Sequence, residues 1–225
     1  MSLRSVNPLD GEVFEEHPEM SSAEIAGLLD RTRAAQPGWG VRSFADRARI
    51  LVETARRLRA EQDALARLMA REMGKPLAQG RAEVEKCAWV CEFYAEHAEG
   101  FLAPQPIATD ARKSYVALRP LGVVLAVMPW NFPLWQVFRF AAPTLMAGNA
   151  GVLKHASNVT GCSLAIERIL HEAGVPEDVF RSLRIGSDAV AAVIEHPAVA
   201  AVTLTGSTPA GRAVAAKAGG CLKKT

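Results

Sequence analysis

The stretch Pro129-Trp130-Asn131-Phe132-Pro133 sets one amide between two large aromatics, with a proline on each side. It follows the uncharged run Gly122 to Met128 and precedes a mostly apolar run from Leu134 to Gly148. A polar amide in such surroundings costs stability unless it finds a hydrogen-bond partner. Asn131 therefore serves either as a turn residue bonding its own backbone or as a donor to a ligand. A second candidate is Thr205-Gly206-Ser207-Thr208-Pro209. Gly206 permits close backbone approach, Ser207 or Thr208 can cap a helix, and Pro209 suits a first helical position. The free N–H groups of such a helix end can hold a phosphate, although the same residues also make an ordinary capped turn. The spacing of Gly206 and Gly211 is that of a phosphate loop, but Arg212-Ala213 stands where Lys-Ser/Thr is required, and no GxGxxG occurs. Lys154 is a third candidate, readable as a ligand contact or as a solvated charge.

The sulfur and imidazole groups offer less. Cys87 and Cys91 lie four apart on one helix face, but two thiols without a matching pair make a weak metal site, and packing is the expected role. Cys162 falls in the first turn of a helix, where the dipole could lower its pKa; it too reads as packing. Cys221 is expected to open a further strand as a core residue. His155 has no acid partner near it in sequence and reads as structural. No HExxH occurs, and no metal site is expected.

These residues need elements to place them. The first half reads as helical. Ser21 to Glu24 looks like a capping box, and the helix it opens runs towards Pro37-Gly38. A second helix begins near Asp46, with Leu51, Leu58 and Leu65 repeating along one stripe, and stops at Gly74-Lys75-Pro76. A third runs from about Leu77 to Leu102, and Ser114 to Leu118 reads as a short strand. From Leu121 short apolar runs alternate with helical segments: Gly122–Met128, Gly151–Lys154, Val179–Ile185 and Ala200–Leu204 are the expected strands. Four such βα units predict an α/β fold, a doubly wound and mostly parallel Rossmann-like sheet behind a helical N-terminal region. Ligands of such sheets sit outside the carboxyl ends of the strands, where Asn131, Lys154 and Ser207 all fall.

Bulk composition narrows the classes. The 225 residues are 49% hydrophobic and 22% charged, enough for a real core. A net charge of +2 with both signs mixed argues against a nucleic-acid partner. No run is long and apolar enough for a membrane span, and no signal peptide is visible, so a cytoplasmic location is expected.

With these residues in view, the chain resembles the aldehyde dehydrogenase superfamily. The resemblance is carried by PWNFP at 129–133, AGN at 147–149, the Lys154 strand end and TGSTPAG at 205–211, and it runs the length of the chain in family order. LKHASNVTGCS with Trp135-Gln136, in an N-terminal half this short, is similar to bacterial succinate-semialdehyde dehydrogenases. The resemblance implies a cysteine thiolate attacking an aldehyde, a thiohemiacetal, hydride transfer to NAD or NADP, and release of the carboxylic acid. It implies that Asn131 donates to the oxyanion. Met128, Pro129 and Trp130 would line the cofactor path, Lys154 would bind the adenosine ribose, Ser207 with Gly206 the pyrophosphate, and Gly186 would pack under the adenine. Arg139 would pair with a distal substrate carboxylate, the other reading being a helix-surface salt bridge. A homodimer or homotetramer is expected of the parent enzyme.

Two departures bear on the cofactor. Many NAD-preferring relatives carry Glu where Ser157 stands, and serine tolerates a 2′-phosphate, so NADP use is open. Val190 replaces a frequent glycine. The resemblance also divides the chain into a helical part of the cofactor domain (1–110), a strand of an oligomerisation hairpin (111–120) and the Rossmann-like units (121–225). The general base and the nucleophilic cysteine of the family find no match here, and the 225 residues alone are expected to be inactive. The competing expectation is a non-catalytic nucleotide-binding or interaction protein.

Overall fold

The computed structural model describes residues 2–225. It opens on an antiparallel hairpin of β1 (Ser2–Val6) and β2 (Val13–Pro18). The helical reading of the first half does not contain this hairpin. Its signal is weak because Leu3, Ser5 and His17 are its only buried residues, so no apolar alternation shows. Four helices follow: α1 (Ser22–Gly40), α2 (Phe44–Ala60), α3 (Gln62–Met73) and α4 (Leu77–Phe101). Ser21 and Glu24 form the expected capping box on α1. The second predicted helix is two helices, broken at Glu61 without proline or glycine to announce it. The carboxylate of Glu61 is taken by Arg168. Leu51, Leu58 and Leu65 nonetheless bury one continuous stripe across the break. Gly74 ends α3 at φ +74°, a conformation glycine adopts without penalty. A short hairpin, β3 (Gln105–Pro106) with β4 (Tyr115–Val116), projects exposed side chains.

The remainder is the α/β part: β5 (Val123–Val127), α5 (Trp135–Met146), β6 (Ala150–Lys154), α6 (Thr160–Glu172), β7 (Phe180–Ser182), α7 (Val190–Glu195), β8 (Val199–Leu204) and α8 (Thr208–Gly220). The strands form one parallel sheet in the order β7-β6-β5-β8. All five residues of β6 are buried. Successive strand residues face opposite ways, so both faces of the sheet are covered there. The third strand is shorter than its apolar run, because the chain leaves the sheet after the bond from Leu183 N–H to the Leu153 carbonyl. Cys221 does not open a strand. It caps the C-terminus of α8, half-buried, and only Lys224 beyond it touches the sheet, as an isolated bridge to Ala201.

Helical layer and sheet are joined by buried charged side chains. The Arg47 guanidinium donates to the carbonyls of Trp39, Gly40 and Arg42 at the end of α1 and to Met146 at the end of α5. Glu72 of α3 accepts from the N–H groups of Gly161 and Cys162 in the first turn of α6, and from the Ser5 hydroxyl of β1. These side chains satisfy helix-end groups that would otherwise be buried without partners. The AGN stretch has a local cause. Gly148 sits at φ +82°, which favours glycine, with the Gly40 backbone tightly packed beside it, and Asn149 Oδ1 accepts from the N–H groups of Leu121 and Gly122 just before β5.

Candidate active site

The chain runs β5, β6, β7 outward in one direction and then returns to place β8 on the other side of β5. The order reverses between β5 and β8, and the crevice beyond their carboxyl ends is where such sheets bind ligands. The ends are held level: Val127 is in register with Lys154 on one side and Leu204 on the other. Met128 N–H donates to the Lys154 carbonyl (3.0 Å), and Thr205 N–H to the Val127 carbonyl (3.1 Å). The structure thus brings Met128, Lys154 and Thr205 to one edge, with the 129–133 loop rising from its middle.

That loop is held by its backbone and bare on its side chains. The buried Lys75 and Glu83 form an ion pair. Lys75 Nζ donates to the Asn131 carbonyl (3.0 Å) and lies 3.9 Å from the Phe132 ring centroid. Glu83 Oε1 accepts from the N–H groups of Leu134 and Trp135, each at 2.9 Å, where α5 begins. From the β6 side, His155 Nε2 donates to the Pro133 carbonyl (2.7 Å) while Nδ1 accepts from Ala156 N–H (2.9 Å). Nδ1 also lies 3.3 Å from the Met128 carbonyl, a contact that would favour a protonated ring. Burial pushes the His155 pKa down to about 4 against hydrogen bonds that favour the charged form, and the Lys154 charge pushes the same way as burial. Trp130, Asn131 and Phe132 are exposed, and the Asn131 amide makes no hydrogen bond among the described residues. Sequence reasoning placed His155 correctly as structural and missed Lys75 and Glu83, which lie about fifty residues upstream with only the Gly74-Lys75-Pro76 helix stop to mark them.

Lys154 is 8% exposed and without a hydrogen-bond partner among the described residues. Burial lowers its pKa, partly countered by Asp188. It lines a largely apolar cleft of about 320 Å³ together with Ser187, Val190, Ile194, Leu204 and Val214. Gly186 lies just before Ser187, at a place where a side chain would collide with the Asp188 carboxylate. Ser157 follows β6 at the start of a 3₁₀ turn. Across the crevice Ser207 is the N-cap of α8, with Pro209 at the second rather than the first helical position. A Cβ at Gly206 would meet only ordinary contacts, so nothing in the chain's own packing demands that glycine.

Arg139 stands exposed on α5, its Nη2 3.0 Å from the Thr205 hydroxyl. It has no carboxylate partner among the described residues, so it is not a surface salt bridge. It shares a cleft with Met128, Thr203 and Gln136, whose Oε1 is buried and unpartnered. The cysteines are not brought to this edge. Cys87, Cys91 and Cys162 are buried, and burial raises all three pKa values, with nearby Glu83, Glu92 and Glu72 respectively adding to it. No group of three or more metal-ligating side chains occurs among the described residues, and none of their helices is long and apolar enough to cross a membrane.

The aldehyde dehydrogenase family model matches residues 1–225, and the chain belongs to that family. A probable succinate-semialdehyde dehydrogenase (NADP+) of Synechocystis sp. is 47% identical over 225 residues, which are all of this chain and 50% of that protein. Succinate-semialdehyde dehydrogenase (NADP+) 1 of Mycobacterium tuberculosis is 46% identical over 230 residues, again all of this chain and 50% of the relative. Among solved structures, succinic semialdehyde dehydrogenase from Streptococcus pyogenes, in complex with NADP+, superposes with a TM-score of 0.95 at 35% identity, covering 99% of this chain and 49% of that one. The chain spans about half the length of the curated relatives it matches.

Proposed function

We propose that residues 1–225 supply the cofactor site and oxyanion donor of an NAD(P)-dependent aldehyde dehydrogenase acting on succinate semialdehyde or a similar ω-carboxylated aldehyde. The observation that carries this reading is the Asn131 amide, exposed and unpartnered on a backbone held at residues 131, 133, 134 and 135 beside the switch point. A fixed donor of this kind acts on charge that develops as a thiolate adds to the aldehyde carbonyl, and one such donor is worth ~3 kcal/mol.

The residues at the strand ends fit a dinucleotide. The apolar cleft beside Lys154 suits an adenine, and Ser187, next in the chain after Gly186, belongs to its lining. The buried, unpartnered ammonium has donors for the ribose hydroxyls or a 2′-phosphate. Ser207, Gly206 and the free N–H groups of the first turn of α8 would hold the pyrophosphate. Met128, Pro129 and Trp130 would flank the nicotinamide end. When bound, the cofactor supplies the hydride acceptor. Ser157 places no negative charge near the ribose, in keeping with the NADP+ in the names of the relatives. The Arg139 guanidinium, free of any carboxylate, suits the distal carboxylate of the substrate.

None of the four thiols fits the nucleophile. Three are buried with raised pKa values, and Cys221 lies at the far end of α8. The 225 residues alone should therefore show no turnover. The test uses a complete enzyme, residues 1–225 joined to the C-terminal half of the Synechocystis relative. Asn131→Ala should lower kcat by ~10²–10³ and leave NADP+ affinity unchanged. A normal kcat in that variant would reduce Asn131 to a turn residue.

A further inference from the structure

We infer that Lys75 and Glu83 are positioning residues for the Asn131 amide: a buried ion pair that sets the direction of the oxyanion donor from outside the sheet. This rests on the oxyanion reading of Asn131 given above. The side chains of the pair are 4% and 2% exposed, and neither touches the strand-end clefts. A buried ion pair is costly to desolvate, and well-packed apolar residues often serve stability as well or better. What distinguishes this pair is where its remaining hydrogen bonds go. Lys75 gives one to the Asn131 carbonyl, and Glu83 takes two from Leu134 and Trp135. All three land on one five-residue segment.

The geometry has a clear division of work. Glu83 satisfies the opening N–H groups of α5 and so fixes the point where the helix begins. Lys75 fixes the peptide three residues upstream, and its charge over the Phe132 ring resists rotation of the loop about that point. Pro129 and Pro133 limit φ on either side. The Asn131 side chain is left with its own torsions as the main freedom, which is the condition for a preorganised donor. Lys75 sits at the α3–α4 connection and Glu83 on α4, so the helical N-terminal layer aims the amide, while His155 beyond β6 holds the Pro133 carbonyl from the sheet side.

The variant Lys75→Met/Glu83→Gln tests this. Methionine keeps the aliphatic volume, and the glutamine oxygen can still accept from Leu134 and Trp135, so no unpaired buried charge remains. Two measurements are made. The first is ¹⁵N relaxation of the Trp130, Asn131 and Phe132 amides in the 225-residue chain, where order parameters should fall from about 0.85 to below about 0.6. The second is a cycle with Asn131→Ala in the complete enzyme. The paired substitution should lower kcat by ~10- to 100-fold with KM little changed. In the Asn131→Ala background it should have no further effect. An equal loss of kcat in both backgrounds, or unchanged loop order, overturns the positioning role. A normal kcat in Asn131→Ala alone is a different result: it overturns the oxyanion reading on which the role depends.

Discussion

The Arg139 guanidinium is held by a hydroxyl, Thr205 at 3.0 Å, and by no carboxylate among the described residues. A surface arginine at a strand-end crevice with an uncompensated charge is poised for an anionic group. In the complete enzyme, Arg139→Ala should lower kcat/KM for succinate semialdehyde by about ten- to a hundred-fold, the loss of a charge-assisted hydrogen bond of roughly 1.5–3 kcal/mol. Butanal, which has no distal carboxylate, should lose little. Arg139→Lys should recover part of the activity, since an ammonium lacks the bidentate fork. Equal losses on the two aldehydes, measured at fixed ionic strength, would make the arginine structural.

The proposed ribose contact can be tested at Ser157. Ser157→Glu sets a carboxylate just beyond the Lys154 strand end, where it would accept from a 2′-hydroxyl and repel a 2′-phosphate. Titrating NAD+ and NADP+ against both forms should show preference moving towards NAD+. An unchanged ratio of affinities means that this strand end does not contact the ribose.

His155 makes folding sensitive to acid. Its pKa falls from an ordinary 6.5 unfolded to about 4 folded. Above pH 6.5 both states are neutral there and stability is level. As pH drops from 6.5 to 4 the unfolded chain binds a proton that the folded chain refuses, and stability falls by up to about 3 kcal/mol. Urea midpoints of wild type and His155→Gln should diverge in slope only within that window. Parallel curves would show that the ring is not held neutral.

Arg47 should be a stability residue with no kinetic role. It is buried, burial lowers its pKa, and its donors meet backbone carbonyls and no acid. Arg47→Met leaves helix-end carbonyls of α1 and α5 without donors and should cost about 3 kcal/mol or more in urea unfolding. A midpoint close to wild type would mean that water replaces the guanidinium.

The parts of the site made by local chemistry were legible in the sequence. Asn131 stood out as an amide between apolar runs, although the loop carries it into solvent and the expected cost of burial does not arise; Ser207 stood out because cap, glycine and proline fall in one turn. The sheet was legible because β5, β6 and β8 are apolar along most of their length, whereas β7 is only Phe-Arg-Ser. What could not be read depends on long-range partners. Lys75 and Glu83 look like ordinary charges of a helical region until the fold carries them to the 129–133 loop. The break at Glu61 has no local breaker, and the β1–β2 hairpin has too few buried residues to show a period of two. The strand order that puts the switch point between β5 and β8 is likewise a property of the assembled sheet.

The buried charged caps also bear on how this fold can be recombined. Arg47, Glu72 and Glu83 all lie upstream of residue 120, and the helix ends they close, on α5 and α6, lie downstream. A crossover between homologous parents near residue 120, though it falls in an exposed connection, would separate each cap from the helix end it fits. Exchanging the sheet units together with residues 39–101 keeps Arg47, Glu72 and Glu83 with the helix ends they close in one parent. The natural block of inheritance is then the helix with its distant cap, and the seam visible along the chain is not the seam in the molecule.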